Sequence, residues 1–155
     1  MDFNSKHDIE APIAEVFEAL CDFESFERSA FRRGVEVQRL GDIDAPGKGL
    51  AWDAKFTFRG KARELRITLS SYEPVTRLVL NGESNALKGQ TEIDLVALSP
   101  NRTRLSVALS VSAKTLSGRL LMQSFKLARG SMERKFNARI ADFASMTEEK
   151  LTRQV

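Results

Sequence analysis

Few residues in this chain have the chemistry to act on a substrate. His7 is the only histidine and Cys21 the only cysteine among 155 residues. His7 stands two positions from Ser5, so in an extended segment both side chains fall on one face. An imidazole titrates near neutrality, which suits proton transfer; beside a hydroxyl it could bind a ligand carbonyl or act as acid or base. The plain alternative is a histidine satisfied by a hydrogen bond at the edge of the core. Arg63 shares the parity of Leu65, Ile67 and Leu69, and Arg39 that of Val35 and Val37. An inward arginine near a strand end could hold a carboxylate or phosphate, or else reach out to water. Phe23, Phe26 and Phe31 with Arg32 and Arg33 could form an apolar mouth with a basic rim, or a solvated turn.

Other chemistries lack their residues. One histidine, one cysteine and scattered acids supply no metal-ligand spacing, so no metal or other cofactor is expected. The run GDIDAPGKGL contains Gly-Lys but no hydroxyl residue after it to hold Mg²⁺, and no G-x-S-x-G turn occurs. Cys21 lies beside apolar residues of a helical stripe, which suits an inert thiol. A lone cysteine also excludes an internal disulfide. The formal charge of +3 carries no concentrated basic tract of the kind that marks nucleic-acid binding. MDFNSKHDIEAP has no apolar leader and no stretch approaches the ~20 apolar residues of a membrane span; the expectation is a cytoplasmic protein without a transmembrane segment.

The elements that would position these residues are legible from periodicity. Phe3, Ser5, His7 and Ile9 alternate with Asp2, Asn4, Lys6 and Asp8, as in a half-buried strand. After Pro12, the spacing of Ile13, Val16, Phe17 and Leu20 predicts an amphipathic helix, and Asp22 can cap a second one bearing Phe23 and Phe26. Alternation then dominates from Val35 to Val111. Leu50, Trp52, Ala54, Phe56 and Phe58 mark one strand, and Gly60 allows a tight hairpin into Leu65, Ile67 and Leu69. A turn at Tyr72–Val75, a short strand at Arg77–Leu80 and a closing hairpin (Thr91 to Ala97, Leu105 to Val111) complete an antiparallel meander. From Ser117 to Ser145, Leu121, Phe125, Ala128, Met132, Phe136, Ile140 and Phe143 form the stripe of one long helix. Gly130 interrupts it, which suggests close approach of a strand or space left for something else. Residues 1–147 are expected to form a single α+β domain, with a frayed tail at 148–155.

The order of these elements and their motifs resembles the START/SRPBCC helix-grip superfamily over roughly residues 2 to 145. IEAPIAEVFEALCDF resembles its opening signature at Ile9, Ala11, Pro12, Val16, Phe17, Leu20 and Asp22. The glycine-rich strand entry is matched at Gly47, Gly49 and Trp52, and the turn-and-strand at Glu73, Pro74, Arg77 and Leu78. Thr91, Leu95, Thr103 and Leu105 match the closing hairpin. The resemblance implies a curved sheet of about seven strands wrapped around the C-terminal helix, with a cavity between them closed by the helix pair. On that basis Trp52, Phe56, Phe58, Leu65, Ile67, Thr91, Ile93, Leu121, Phe125, Met132 and Phe26 become the candidate lining for a small hydrophobic ligand.

A filled core is the alternative for the same residues. The leading expectation is a binding or carrier protein. The alternative enzyme would resemble polyketide cyclase/dehydratases, with His7 as acid–base group and Ser5 and Arg63 as helpers. A third class is a protein-interaction module of the chaperone-ATPase-activator or ribosome-associated type, using Lys126, Arg129 and Lys135. A homodimer is compatible with the exposed surfaces, without a seam to name.

Overall fold

A computed structural model describes residues 1–41 and 47–152. The middle of the glycine-rich strand entry, residues 42–46, therefore lies outside the described residues, as do residues 153–155 of the expected tail. The chain runs β1 (Asp2–Ile9), α1 (Ile13–Leu20), α2 (Phe23–Arg32), β2 (Glu36–Leu40), β3 (Ala51–Phe58), β4 (Lys61–Glu73), β5 (Arg77–Glu83), β6 (Leu87–Ser99), β7 (Arg102–Ala113), α3 (Leu116–Leu127) and α4 (Arg129–Thr152).

The seven strands form one antiparallel sheet in the order β1-β7-β6-β5-β4-β3-β2. It is a meander from β2 to β7, closed by the first strand pairing with the last. At the β3–β4 hairpin, Arg59 and Gly60 both have positive φ (53° and 74°), the two-residue turn whose twist matches the flanking strands. The sheet's outer face is held by charge pairs set across the ladder. Asp53 faces Arg66, Arg77 faces Asp94 and Asp8 faces Arg104, each in register and each forming an ion pair. The inner face is apolar, and the helices pack on it.

Capping explains where two of the helices begin. Asp22 accepts from the Ser25 N–H at the start of α2, and Thr115 accepts from the Gly118 N–H at the start of α3. Three expectations for the C-terminal region change. The single long helix is broken at Ala128 into α3 and α4, and Gly130, in the first turn of α4, meets no strand; the nearest atom to a Cβ there would be the Arg134 guanidinium at 3.4 Å. A residue just past a helix break has less interior helix to weaken, so the glycine needs no packing partner. The helix also continues past Met146 to Thr152. Ala144 and Thr147 are buried and Leu151 packs against the main core, so its last turns have partners that polar composition concealed.

That core fills one part of the concave face. Ile9, Val16, Phe17, Leu20, Leu50, Trp52, Leu69, Leu78, Leu95 and Leu105 form a continuous buried cluster with Ala144 of α4. Thr103, fully buried, donates to the Ala11 carbonyl at 2.8 Å and ties the entry of α1 to β7.

Candidate ligand-binding site

A half-open cavity of about 700 Å³ lies between the sheet and α3. Phe56 and Phe58 of β3 supply one wall, with Leu65 and Ile67 of β4 beside them. Leu80 of β5, Thr91 of β6 and Leu109 and Val111 of β7 continue the surface, and Leu121 and Phe125 of α3 cover it. Phe58 and Phe125 meet edge to face at 6.0 Å, closing the gap between the β3–β4 hairpin and the helix. The turn from Ser84 to Ala86 forms the end beneath the start of α3, and Lys88 and Glu64 add charge at the rim.

Two glycines explain why there is space. Gly82 and Gly89 face each other across β5 and β6, and the same row of the sheet contains Ile67 and Val111. Both glycines line the cavity. A β-carbon at Gly82 would meet only the Leu65 side chain, at 3.5 Å, so its lack of a side chain leaves volume that could be filled. At Gly89 a β-carbon would sit 3.1 Å from the Ser110 carbonyl, a tight approach that restricts this position further. Hydrophobic periodicity could not find either residue, because glycine contributes nothing to the pattern. The strands bearing them extend beyond their apolar stretches: β5 continues to Glu83 rather than ending at Leu80, and β6 starts at Leu87, four residues before Thr91.

Seven of the eleven candidate lining residues come together here: Phe56, Phe58, Leu65, Ile67, Thr91, Leu121 and Phe125. The other four lie elsewhere. Trp52 is in the solid core, with Phe23 edge-on to it at 5.2 Å. Ile93 sits in β6 between Leu78 and Val107 and packs against the same core. Met132 is half-buried in the first turns of α4 and does not border this cavity. Phe26, 43% exposed, stacks on Phe143 at 6.0 Å. The helix pair thus covers the filled part of the sheet, and α3 is the element over the cavity. The expected mouth does not assemble around it: Phe31, Arg32 and Arg33 are exposed at the far end of α2.

The polar candidates divide in the same way. Arg63 reaches the cavity rim, where its Nε donates to the Phe58 carbonyl at 3.2 Å and its guanidinium lies over the Phe58 ring at 5.5 Å. Ser5 and His7 hydrogen-bond to each other at 2.9 Å on β1, the strand beneath α4, and neither borders the cavity. Arg39 pairs with Glu27 of α2 at 2.5 Å. Its Nε and the Nε1 of its cross-strand neighbour Trp52 are both buried without a hydrogen-bond partner among the described residues. The apolar wall expected of Trp52 thus carries a buried polar atom beside Arg39, a juxtaposition set by the cross-strand register, which composition does not reveal.

Cys21 also belongs to the filled region. Burial pushes its thiol up to about 11, partly offset by a hydrogen bond with Tyr72, so it is a neutral thiol at physiological pH. Among the described residues no three His, Cys, Asp or Glu side chains converge as metal ligands, and no helix is long and apolar enough to cross a membrane.

No protein-family model matches the chain, and no curated protein does. Solved structures do. The Zhui aromatase/cyclase from Streptomyces sp. R1128 superposes with a TM-score of 0.65 at 13% identity, covering 97% of this chain and 95% of that one. A START superfamily protein from Mycobacterium smegmatis matches with a TM-score of 0.55 at 14% identity, over 86% and 95% of the two chains. A protein from Cytophaga hutchinsonii, solved in solution, gives 0.64 at 20% identity, over 98% and 97%. The fold is the helix grip. At these identities the likeness concerns architecture, and one architecture hosts many activities. The curved seven-stranded sheet with a long C-terminal helix is the arrangement expected from the sequence.

Proposed function

We propose that this helix-grip protein binds a small hydrophobic molecule in the cavity beneath α3. The observation that carries the reading is the cavity itself: about 700 Å³ lined mostly by apolar side chains and floored by the facing pair Gly82 and Gly89. Ligand sites of 300–1,000 Å³ with a few placed polar groups are the common pattern for small molecules. Phe56, Phe58 and Phe125 suit a flat or flexible apolar body. Arg63 at the rim suits an acidic or carbonyl-bearing head, because among the described residues only its Nε is engaged, on the Phe58 carbonyl. The single imidazole stands outside this cavity, which favours binding or carriage over acid–base catalysis on the same ligand.

The test uses Gly82→Leu. The backbone at Gly82 is not in the left-handed region, and a β-carbon there has ordinary clearance, so a leucine should enter the cavity without breaking the sheet. Binding of 1-anilinonaphthalene-8-sulfonate, an apolar body with an anionic head, is followed by fluorescence in wild type and variant. Saturable binding by wild type and its loss in a folded Gly82→Leu protein supports the site. Equal binding by both proteins places the dye elsewhere and removes the proposal.

A further inference from the structure

α3 is apolar on two opposite sides. Leu121 and Phe125 line the cavity, and Gly118 and Met122 are buried. At about 100° per residue, Leu116, Leu120 and Leu127 fall within roughly 40° of one another on the far side. They are 74%, 61% and 92% exposed, with only Gln123 interrupting their stripe. A surface helix ordinarily gives its outer side to polar groups. Here the polar residues occupy the narrow edges, Ser117 and Ser124 on one and Arg119 and Lys126 on the other.

The charge of this region is one-sided. No Asp or Glu occurs from Ala113 to Met132, a stretch that contains Lys114, Arg119, Lys126 and Arg129. Arg119 and Lys126 join none of the ion pairs among the described residues. Neither do Arg59 and Lys61 at the adjoining β3–β4 hairpin, whose Phe58 touches Phe125 and is itself 36% exposed. The outer face of the sheet behaves oppositely, with its arginines matched to carboxylates across the ladder.

We propose that the outer side of α3, with the Phe58–Lys61 hairpin, docks on an anionic lipid surface. Leucines flanked by unpaired cations are the pattern of a helix lying in the headgroup region, where the apolar side enters the acyl boundary and the cations meet phosphates. Charge disfavours a second copy of this chain as the occupant, since that would set one acid-free cationic helix against another. If the ligand reading above also holds, the docked face is the wall that separates the cavity from solvent.

The full chain is sedimented with vesicles of phosphatidylcholine alone and of equal parts phosphatidylcholine and phosphatidylglycerol. Wild type should pellet with the anionic vesicles, less with neutral ones, and less again as salt screens the cations. The double substitution Leu120→Glu, Leu127→Glu should lower partitioning by about tenfold or more, and Arg119→Gln with Lys126→Gln should weaken only the anionic-vesicle binding. These side chains are exposed, so the variants should melt as wild type does. Leu98→Glu, an exposed leucine near the other end of β6, should change nothing. Failure of wild type to pellet with anionic vesicles overturns the proposal, as does a wild-type dimer that the leucine substitutions dissociate. Gly82→Leu separates the two readings: it should lose the dye and keep the vesicles, so each can fail alone.

Discussion

One sheet supports two different interiors. Beneath α1, α2 and the C-terminal half of α4 the concave face is solid, with Ile9, Leu50, Leu69, Leu78 and Leu105 almost wholly removed from water. Beneath α3 the same sheet, with the same alternation, encloses about 700 Å³. The difference lies in which side chains point inward and in what covers them. At the solid end most inward positions carry a large apolar group, and Phe17, Phe23 and Phe143 reach down or across from the helices. At the hollow end two inward positions are glycines, and the cover is a twelve-residue helix anchored at its start by the close approach of Gly118 to the Ala86 carbonyl. A curved sheet therefore does not by itself imply a cavity; the hollow comes from missing side chains under a separately seated helix.

Removing bulk should be costly at one end and mild at the other. Leu105→Ala empties a fully buried site next to rigid neighbours and should cost about 2–5 kcal/mol in urea unfolding. Phe125→Ala, at a half-buried position that already faces open space, should cost roughly 1 kcal/mol while changing dye binding. Similar losses at both sites would mean that the two interiors do not differ as described.

Gly118→Ala tests the seating of the cover. Its β-carbon would lie 2.2 Å from the Ala86 carbonyl oxygen, an impossible contact that only backbone movement can relieve. The expected cost is about 1–3 kcal/mol, with hydrogen-exchange protection lost in α3 ahead of the sheet. Uniform loss of protection throughout the chain would show that α3 is not a separate unit.

Cys21 reports on the solid end. With its thiol pushed up to about 11, alkylation by iodoacetamide at pH 8 should run on the order of 100-fold slower than for a free thiol. Ordinary reactivity would indicate that this end is looser than its packing implies.

The smallest expected effect concerns the sheet's outer face near the solid end. The hydrogen bond from Arg104 holds the Asp8 carboxyl below its ordinary 3.8, against some desolvation. Such a depressed group stabilises the fold fully above its unfolded value and loses that contribution as pH falls through the lower folded one. Asp8→Asn should therefore melt slightly below wild type at pH 6 and approach it at about pH 3. A difference that grows on acidification would reverse the assigned sign.

How much of this was legible beforehand varies by element. The strands bearing Phe56, Phe58, Leu65 and Ile67 announced themselves by strict alternation, and the structure brings those four side chains to one wall. Trp52 and Ile93 obey the same alternation and lie in the packed core instead, because parity identifies a face but not a position along it. The break at Ala128 left no mark in the apolar stripe, which runs through it in phase. Gly82 and Gly89 were silent, since an absent side chain has no hydrophobicity to alternate.

By itself the chain's pattern of apolar residues determined the α+β class, the sheet's inner face and the apolar character of the C-terminal helices, because burial demands a period of two in strands and about 3.6 in helices. Only the tertiary structure decided where along that face the interior is full and where it is empty. Strand register places glycine opposite glycine and arginine beside tryptophan, and register joins residues far apart in sequence whose meeting no local pattern encodes.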